Sequence, residues 1–307
     1  MKKIGLWIPS RKNYTPISLE KPGYFMESFT KEIIREIEKG KKFKVFNHVD
    51  FRNAWCENGK VFLNDFCLSD LDLFLWMGEI NRETGSYHLE VLDTLADSTI
   101  VVNNPRAVKI GLDKYLSQKT LLKNGITVPD FLLVKSNNLE SVEKKIREKK
   151  FILKPRLGSF GTGIVEIKDF DQLVDIVDYS DNSTHFLEEF IDFDFKDWIG
   201  VNVIGGEIAY GYGKHKSKIN GFKVFDRKRI GGKMHLKKPS KEQEKIALKI
   251  GKVTGLDFFG IDIIADKNGK NYVIDVNTFP GLYPELMKEA KINGAKMIAK
   301  MIYKKLK

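Results

Sequence analysis

The sequence predicts an N-terminal open α/β domain followed by an α+β region, and three observations carry that prediction. Over about 100 residues from the start, short apolar runs alternate with amphipathic stretches, the pattern of an open α/β sheet. One of those runs, Leu71–Met77 (LDLFLWM), is nearly all apolar, as a central parallel strand covered on both faces must be. Near the C-terminus two β-like runs, Phe258–Ala265 and Asn271–Asn277, flank Asp266-Lys267-Asn268-Gly269-Lys270, and Asn-Gly is the strongest short-range hairpin signal.

Taken in order, Lys3–Pro9 (KIGLWIP) reads as a short buried first strand. Tyr24–Glu38 places Phe25, Phe29, Ile33, Ile34 and Ile37 on one helical face and stops at Gly40. Phe43–Val49 reads as a strand and Lys60–Asn64 as a hairpin arm. After the Leu71–Met77 strand, Tyr87–Leu95 is helical and Thr99–Asn103 is a strand. Ligands of open α/β sheets bind beyond the carboxyl ends of the strands. The loop Gly78-Glu79-Ile80-Asn81-Arg82-Glu83 sits there and carries both charges, suited either to the two ends of an amino acid or to a local ion pair.

Asn104-Pro105 opens a long helix, Arg106–Lys123, which Asn124-Gly125 ends. Phe131–Val134 is a strand, Leu139–Lys149 a Lys-rich helix, and Phe151–Pro155 a strand running into KPRLGSFGTGI. That loop lacks the Gly-Lys-Ser/Thr of a P-loop and the spacing of a Rossmann turn. Its glycines 158, 161 and 163 still permit backbone N–H groups to converge on one anion. Val201–Tyr212 is a hairpin through Gly205-Gly206, and Ser240–Thr254 a helix opened by a Ser-x-x-Gln capping box. Tyr283–Leu306 closes the chain as helix.

A two-residue turn on Asn268-Gly269 sets the hairpin register by counting outward: Ala265 faces Tyr272, Asp262 faces Asp275, and Asn277 lies opposite Gly260 on the same face. Directly opposed carboxylates repel unless a cation lies between them. Carboxylate and amide oxygens are hard ligands of the kind Mg²⁺ prefers. On this reading, neutralising Asp275 relieves repulsion and raises the melting temperature without metal.

At 307 residues, with 42% hydrophobic and 11% aromatic content, the chain holds a substantial core and two or three domains. No apolar run reaches the length of a membrane span. Cys56 and Cys67 lack metal-ligand spacing and read as reduced core thiols of a cytoplasmic protein. The formal charge is +11, and the runs 144–150 and 304–307 read as solvated helical faces with no nucleic-acid-binding motif beside them.

FGIDII…YVIDVNTFPGL resembles the metal-binding end of an ATP-grasp ligase, in the branch of glutathione synthetase and ribosomal-protein glutamate ligase, with Asp275 where that family usually has Glu. The resemblance runs from about residue 103 to the C-terminus, and it implies ATP with Mg²⁺ or Mn²⁺ as cofactors and Asp262, Asp275 and Asn277 as metal ligands. It implies that Lys114, in LDKYLSQ, reaches ATP and that Lys154 holds the α- and β-phosphates, beneath a flap of Gly158, Ser159, Phe160, Gly161 and Gly163. HFLEEFI resembles the family's segment whose main chain meets adenine, which points to Glu189, Phe190 and Ile191, and Asp197 matches a nucleotide-contacting Asp. The Arg of the family's Asp-Ile-Arg is missing, and so is the Asn of its Arg-x-Asn. After the nucleotide contacts and before the 258–277 hairpin the sequence places Lys214, Arg227 and Arg229, which the resemblance points to as acting on the transferring group.

The implied fold is ATP-grasp with an N-terminal α/β domain over 1–104, a flap-bearing subdomain over 105–190 and a metal-bearing subdomain over 191–307. The implied reaction joins a carboxylate to an amine through an acyl phosphate, adding an amino acid such as glutamate to an acidic acceptor. An anionic small substrate with ATP is favoured over nucleic acid, a membrane partner is not expected, and self-association stays open. The alternatives are a ligase acting on a peptide, a kinase of the same fold, and a non-catalytic ATP-binding module.

Overall fold

The computed structural model describes residues 1–8, 22–40, 42–78, 80, 85–158, 161–180, 183–214, 234–280 and 282–307. The N-terminal region contains β1 (Lys2–Trp7), α1 (Pro22–Glu38), β2 (Phe43–Phe46), a meander of β3 (Trp55–Glu57), β4 (Lys60–Leu63) and β5 (Phe66–Cys67), then β6 (Leu73–Trp76), α2 (Tyr87–Leu95) and β7 (Ile100–Val102). A parallel sheet forms in the order β2-β1-β6-β7, so the apolar run is a central strand, buried at every residue from Leu73 to Trp76. The cysteines depart from the sequence reading: Cys56 is exposed and Cys67 half-buried, because both lie on the meander at the surface and not in the parallel sheet.

The predicted long helix is two, α3 (Pro105–Leu112) and α4 (Lys114–Lys123). Asp113 breaks it with extended backbone (φ −95°, ψ 113°) and caps α4 by accepting from the amides of Tyr115 and Leu116. The next elements are β8 (Phe131–Val134), α5 (Glu143–Glu148), β9 (Phe151–Lys154), β10 (Val165–Ile167), α6 (Phe170–Tyr179) and β11 (His185–Glu189). Their antiparallel sheet has the order β10-β9-β11-β8. The predicted helix over 139–149 is shorter than expected, since 3₁₀ turns at Ser136–Asn138 and Glu140–Val142 precede α5.

The last region runs β12 (Ile199–Ile204), β13 (Glu207–Lys214), β14 (Met234–Leu236), α7 (Lys241–Thr254), β15 (Phe258–Ala265), β16 (Asn271–Asn277), α8 (Pro284–Glu289) and α9 (Gly294–Lys305). Its antiparallel sheet has the order β14-β13-β12-β15-β16. One apolar core joins Phe74 and Trp76 to Val201, Ile261 and Val276, and takes in Val108 and Leu121 of α3 and α4. A second joins Ile4 and Leu75 to Tyr212, Ile264 and Ile302. The β8–β11 sheet has a separate core around Leu173 and Leu187. The parallel sheet and the five-stranded sheet therefore share cores, which fixes the N-terminal strands against the β15–β16 region. Asn103 pins that junction: its buried amide donates to the carbonyls of Phe258 and Thr278 and accepts from the amides of Asp257 and Phe258.

The β15–β16 hairpin reaches the predicted pairing of Asp262 with Asp275 and Gly260 with Asn277 by a different route. The turn is a three-residue loop: Gly269 takes the left-handed conformation (φ 79°) and the Gly269 amide donates to the Asp266 carbonyl. The Asp266 carboxylate accepts from the amides of Asn268 and Lys270, which favours this loop over the two-residue turn. Ala265 consequently pairs with Asn271, not Tyr272. A bulge at Ile274, between the pairs Ile263–Val273 and Asp262–Asp275, shifts the register back.

Candidate active site

One face of the five-stranded sheet is built around the opposed carboxylates. A row across the strands reads Tyr212, Gly200, Asp262, Asp275, and the row beside it reads Tyr210, Asn202, Gly260, Asn277. Gly200 is required here, because a Cβ at that position would stand 2.4 Å from Tyr212 Cζ. Its bare backbone lets the Tyr212 ring lie across β12 toward Asp262. Burial, reinforced by the nearby Asp262 carboxylate, raises the Tyr212 hydroxyl well above its ordinary value and keeps it neutral. Tyr283 is pushed up to about 12 by the same causes.

Each carboxylate has a lysine. Lys114 Nζ lies 3.0 Å from Asp275 Oδ1, and Lys214 Nζ lies 3.5 Å from Asp262 Oδ2. These side chains are largely buried, with relative exposures of 12%, 24%, 17% and 14% for Lys114, Asp275, Lys214 and Asp262. Lys114 also donates to the Gly158 carbonyl at 3.2 Å, which ties the glycine-rich loop to the β15–β16 hairpin. The repulsion expected between the aspartates is thus compensated by the chain itself. Burial, opposed by Lys214, still pushes the Asp262 carboxyl up.

The donor set fits a hard divalent cation. Asp262 Oδ1 is buried and has no hydrogen-bond partner among the described residues, a costly state for a carboxylate oxygen unless a ligand takes it. Asp275 and the amide of Asn277 supply further oxygens on that face. No group of three or more His, Cys, Asp or Glu side chains converges among the described residues, so a metal here would draw its remaining oxygens from a substrate or water.

Lys154 is buried and pairs with buried Glu188, a contact that sequence reasoning missed. Lys154 also reaches the carbonyl of the bulged Ile274 at 3.4 Å, so the bulge turns a backbone acceptor toward it. Gln118 of α4 donates to Glu188 Oε2 at 3.1 Å and to the Val273 carbonyl at 3.2 Å. Burial pushes the Glu188 carboxyl up against the pull of Lys154. A signal for Glu188 was present: in HFLEEFI it shares the buried face of β11 with Phe186. An ionisable side chain at such a position calls for a partner.

Arg156 pairs with Asp113 and its carbonyl accepts from the Lys114 amide at 3.0 Å, which sets the N-terminus of α4 beside the glycine-rich loop. Gly161 (φ 68°) and Gly163 (φ 78°) both take the left-handed conformation, as a loop that turns its amides inward requires. Ser159 and Phe160 lie outside the described residues, as do Arg227, Arg229 and all of the 78–83 loop except Gly78 and Ile80.

At the C-terminal end of β11, the amides of Glu189 and Phe190 donate to the carbonyls of Asp130 and Lys150. The Glu189 side chain turns outward to Lys149 at 3.2 Å. Ile191 follows and is half-buried. Asp197 lies beyond it in a groove of about 810 Å³ between residues 192–197 and the β15–β16 turn. The structure therefore gathers Lys114, Lys154, Lys214, Gly158, Asp262, Asp275 and Asn277 around the paired strands β15 and β16, with Glu189, Phe190 and Ile191 at the end of β11 and Asp197 in the groove beside the β15–β16 turn.

The model for the RimK-like ATP-grasp domain matches residues 111–302. A coenzyme gamma-F420-2:alpha-L-glutamate ligase of Methanococcus maripaludis is 29% identical over 221 residues, covering 70% of each chain. The alpha-aminoadipate–LysW ligase LysX of Saccharolobus solfataricus is 26% identical over 254 residues, covering 80% of this chain and 87% of that one. Among solved structures, the ATP-grasp ligase PsnB complexed with a minimal precursor superposes with a TM-score of 0.68 at 17% identity, over 100% of this chain and 99% of that one. A D-alanine–D-alanine ligase from Bacillus anthracis gives 0.67 at 18%, over 100% and 98%. These structural likenesses show the ATP-grasp fold. No helix among the described residues is long and apolar enough to cross a membrane.

Proposed function

Because the chain belongs to the RimK-like ATP-grasp family, we propose that it is an ATP-dependent carboxylate–amine ligase that adds an amino acid, glutamate by preference, to an acidic acceptor. The γ-phosphoryl group passes to a substrate carboxylate, the amine attacks the resulting acyl phosphate, and ADP and phosphate leave. The observation that carries this reading is Asp262 facing Asp275, each paired to a lysine, with a buried carboxylate oxygen unpartnered among the described residues.

Asp262, Asp275 and Asn277 would hold Mg²⁺ or Mn²⁺, which neutralises phosphate charge when bound. Lys114 has the reach to exchange Asp275 for phosphate oxygens, and the same exchange frees the Gly158 carbonyl for the flap to move. Lys154 presents a point charge to the phosphates from a position that Glu188 and the Ile274 carbonyl fix. With the amides of Glu189 and Phe190 already bound in sheet pairing, the base edge falls to the Glu189 carbonyl and the Ile191 amide. Asp197, in the groove beside that segment, would contact the nucleotide. The flap over Gly158–Gly163 excludes the water that would hydrolyse an acyl phosphate. Lys214 lies on the metal side, where a substrate carboxylate and the γ-phosphate must approach each other. Two like charges close together at a protein surface repel by about 4 kcal/mol, so a cation between them is needed.

ADP release measured across a matrix of amino acids and acidic acceptors tests the reading. Release is expected only when an amine and a carboxylate are both present, with a new amide found by mass spectrometry. ADP released with a hydroxyl acceptor and no amine would establish a kinase instead.

A further inference from the structure

Lys214 has two holders among the described residues. Its ammonium lies 3.5 Å from Asp262 Oδ2 and 3.7 Å from the centroid of the Trp198 ring. The backbone sets this contact: Gly200 pairs with Tyr212, and Trp198 and Lys214 lie two residues further along the same strand pair. The ring itself is fixed. Trp198 is 3% exposed, meets the Tyr212 ring edge-on at 5.5 Å, and its carbonyl accepts from Lys237 Nζ at 2.9 Å.

The two holders respond differently to a divalent cation. An ion on Asp262 takes the carboxylate and repels the ammonium. The face of an indole attracts an ammonium through its quadrupole and offers a divalent ion no oxygen. Lys114 lacks such an alternative: its partners among the described residues are Asp275 and the Gly158 carbonyl, one a metal ligand and the other part of the flap.

We propose that Trp198 is a positioning residue that keeps the Lys214 ammonium inside the site once a metal ion has taken Asp262, so that a cation stands beside the substrate carboxylate. This deepens the ligase reading and rests on it. The lysine reaches from the neighbouring strand, and the indole makes a long, flexible side chain behave as a fixed charge.

Reductive ¹³C-dimethylation of the intact protein keeps each lysine charged, and the methyl resonance of Lys214 should be displaced upfield by the indole ring current. Its loss in Lys214→Met assigns it. The displacement should persist when Mg²⁺ and a non-hydrolysable ATP analogue are added, disappear in Trp198→Leu, and survive reduced in Trp198→Phe. Should Trp198→Leu fail to fold, the reduced shift in Trp198→Phe carries the same information. A resonance that moves to the position of solvated lysine on nucleotide binding, or that is never displaced, overturns the proposal while leaving the ligase reading standing. Absence of any calorimetric heat with Mg²⁺ and the analogue removes both.

Discussion

Lys114 Nζ stands 3.0 Å from Asp275 Oδ1, an ion pair that joins the first residue of α4 to the edge strand of the large sheet. It reverses the expectation that neutralising Asp275 would stabilise the metal-free protein. Asp275→Asn leaves Lys114, only 12% exposed, without its carboxylate. The loss should be about 1–3 kcal/mol, the cost of leaving a partly buried polar group unsatisfied. Denaturant unfolding without divalent cation should show it, and Lys114→Met in the same chain should recover most of it. Ligation stays lost in both variants. A metal-free melting temperature at or above wild type in Asp275→Asn would show that the aspartates do repel.

Gly200 gives a sharper test of the site's geometry. Alanine there drives a methyl group into Tyr212, and overpacking of this kind costs about 1–3 kcal/mol. Trimming the ring in Gly200→Ala/Tyr212→Leu should restore the melting temperature. If Gly200→Ala alone unfolds at the wild-type temperature, the ring does not lie over β12.

Much of this site was legible in the sequence because alternation along a strand is a local property. Asp262 and Asp275 were matched correctly although the turn was read a residue too short, since the bulge at Ile274 offsets the longer loop. That agreement holds at Asp262 and fails at Ala265, which is where the two differences have not yet cancelled. The break at Asp113 was missed because apolar spacing continues through it, although Asp before Lys114 is a residue type that caps helices. The partners of the lysines were not legible. Lys154 meets Glu188 through the pairing of β9 with β11, which depends on strand order, and Lys214 meets Trp198 because a bulge beside Asn202 and Val203 moves the register of the β12–β13 hairpin by one residue.

His185 opens β11, the strand that carries Glu188, and its Nε2 lies 2.7 Å from Ser180 Oγ and 3.1 Å from Ser183 Oγ. Burial lowers its pKa from the ordinary 6.5, so the unfolded chain takes up the proton more readily. His88 is lowered too, chiefly by burial and then by Arg52. With more protons bound in the unfolded state, stability rises with pH through the window below 6.5 and levels off above it. Chemical denaturation between about pH 5 and 8 should show that rise, and His185→Gln should flatten it in part. A slope unchanged in His185→Gln would assign the whole effect to other groups.

The Lys154–Glu188 pair separates stability from function more cleanly than the rest of the site. Both side chains are nearly inaccessible, at 6% and 2% exposure, so neither charge can be left alone without a large penalty. Glu188→Ala strands the ammonium and also removes one of the two acceptors of Gln118. Breaking a buried pair in this way costs about 3–5 kcal/mol, which urea unfolding will register. Replacing both partners by apolar residues of similar volume, Lys154→Met with Glu188→Leu, is expected to recover most of that loss, because the desolvation of two charges disappears with their attraction. The double variant still lacks the cation proposed to meet the phosphates, so calorimetric affinity for an ATP analogue with Mg²⁺ should stay at least tenfold below wild type, about 1.4 kcal/mol. Recovery of stability without recovery of binding identifies Lys154 as a nucleotide contact held in place by Glu188. Recovery of both would make the pair purely structural and move phosphate recognition to Lys114 and the flap amides.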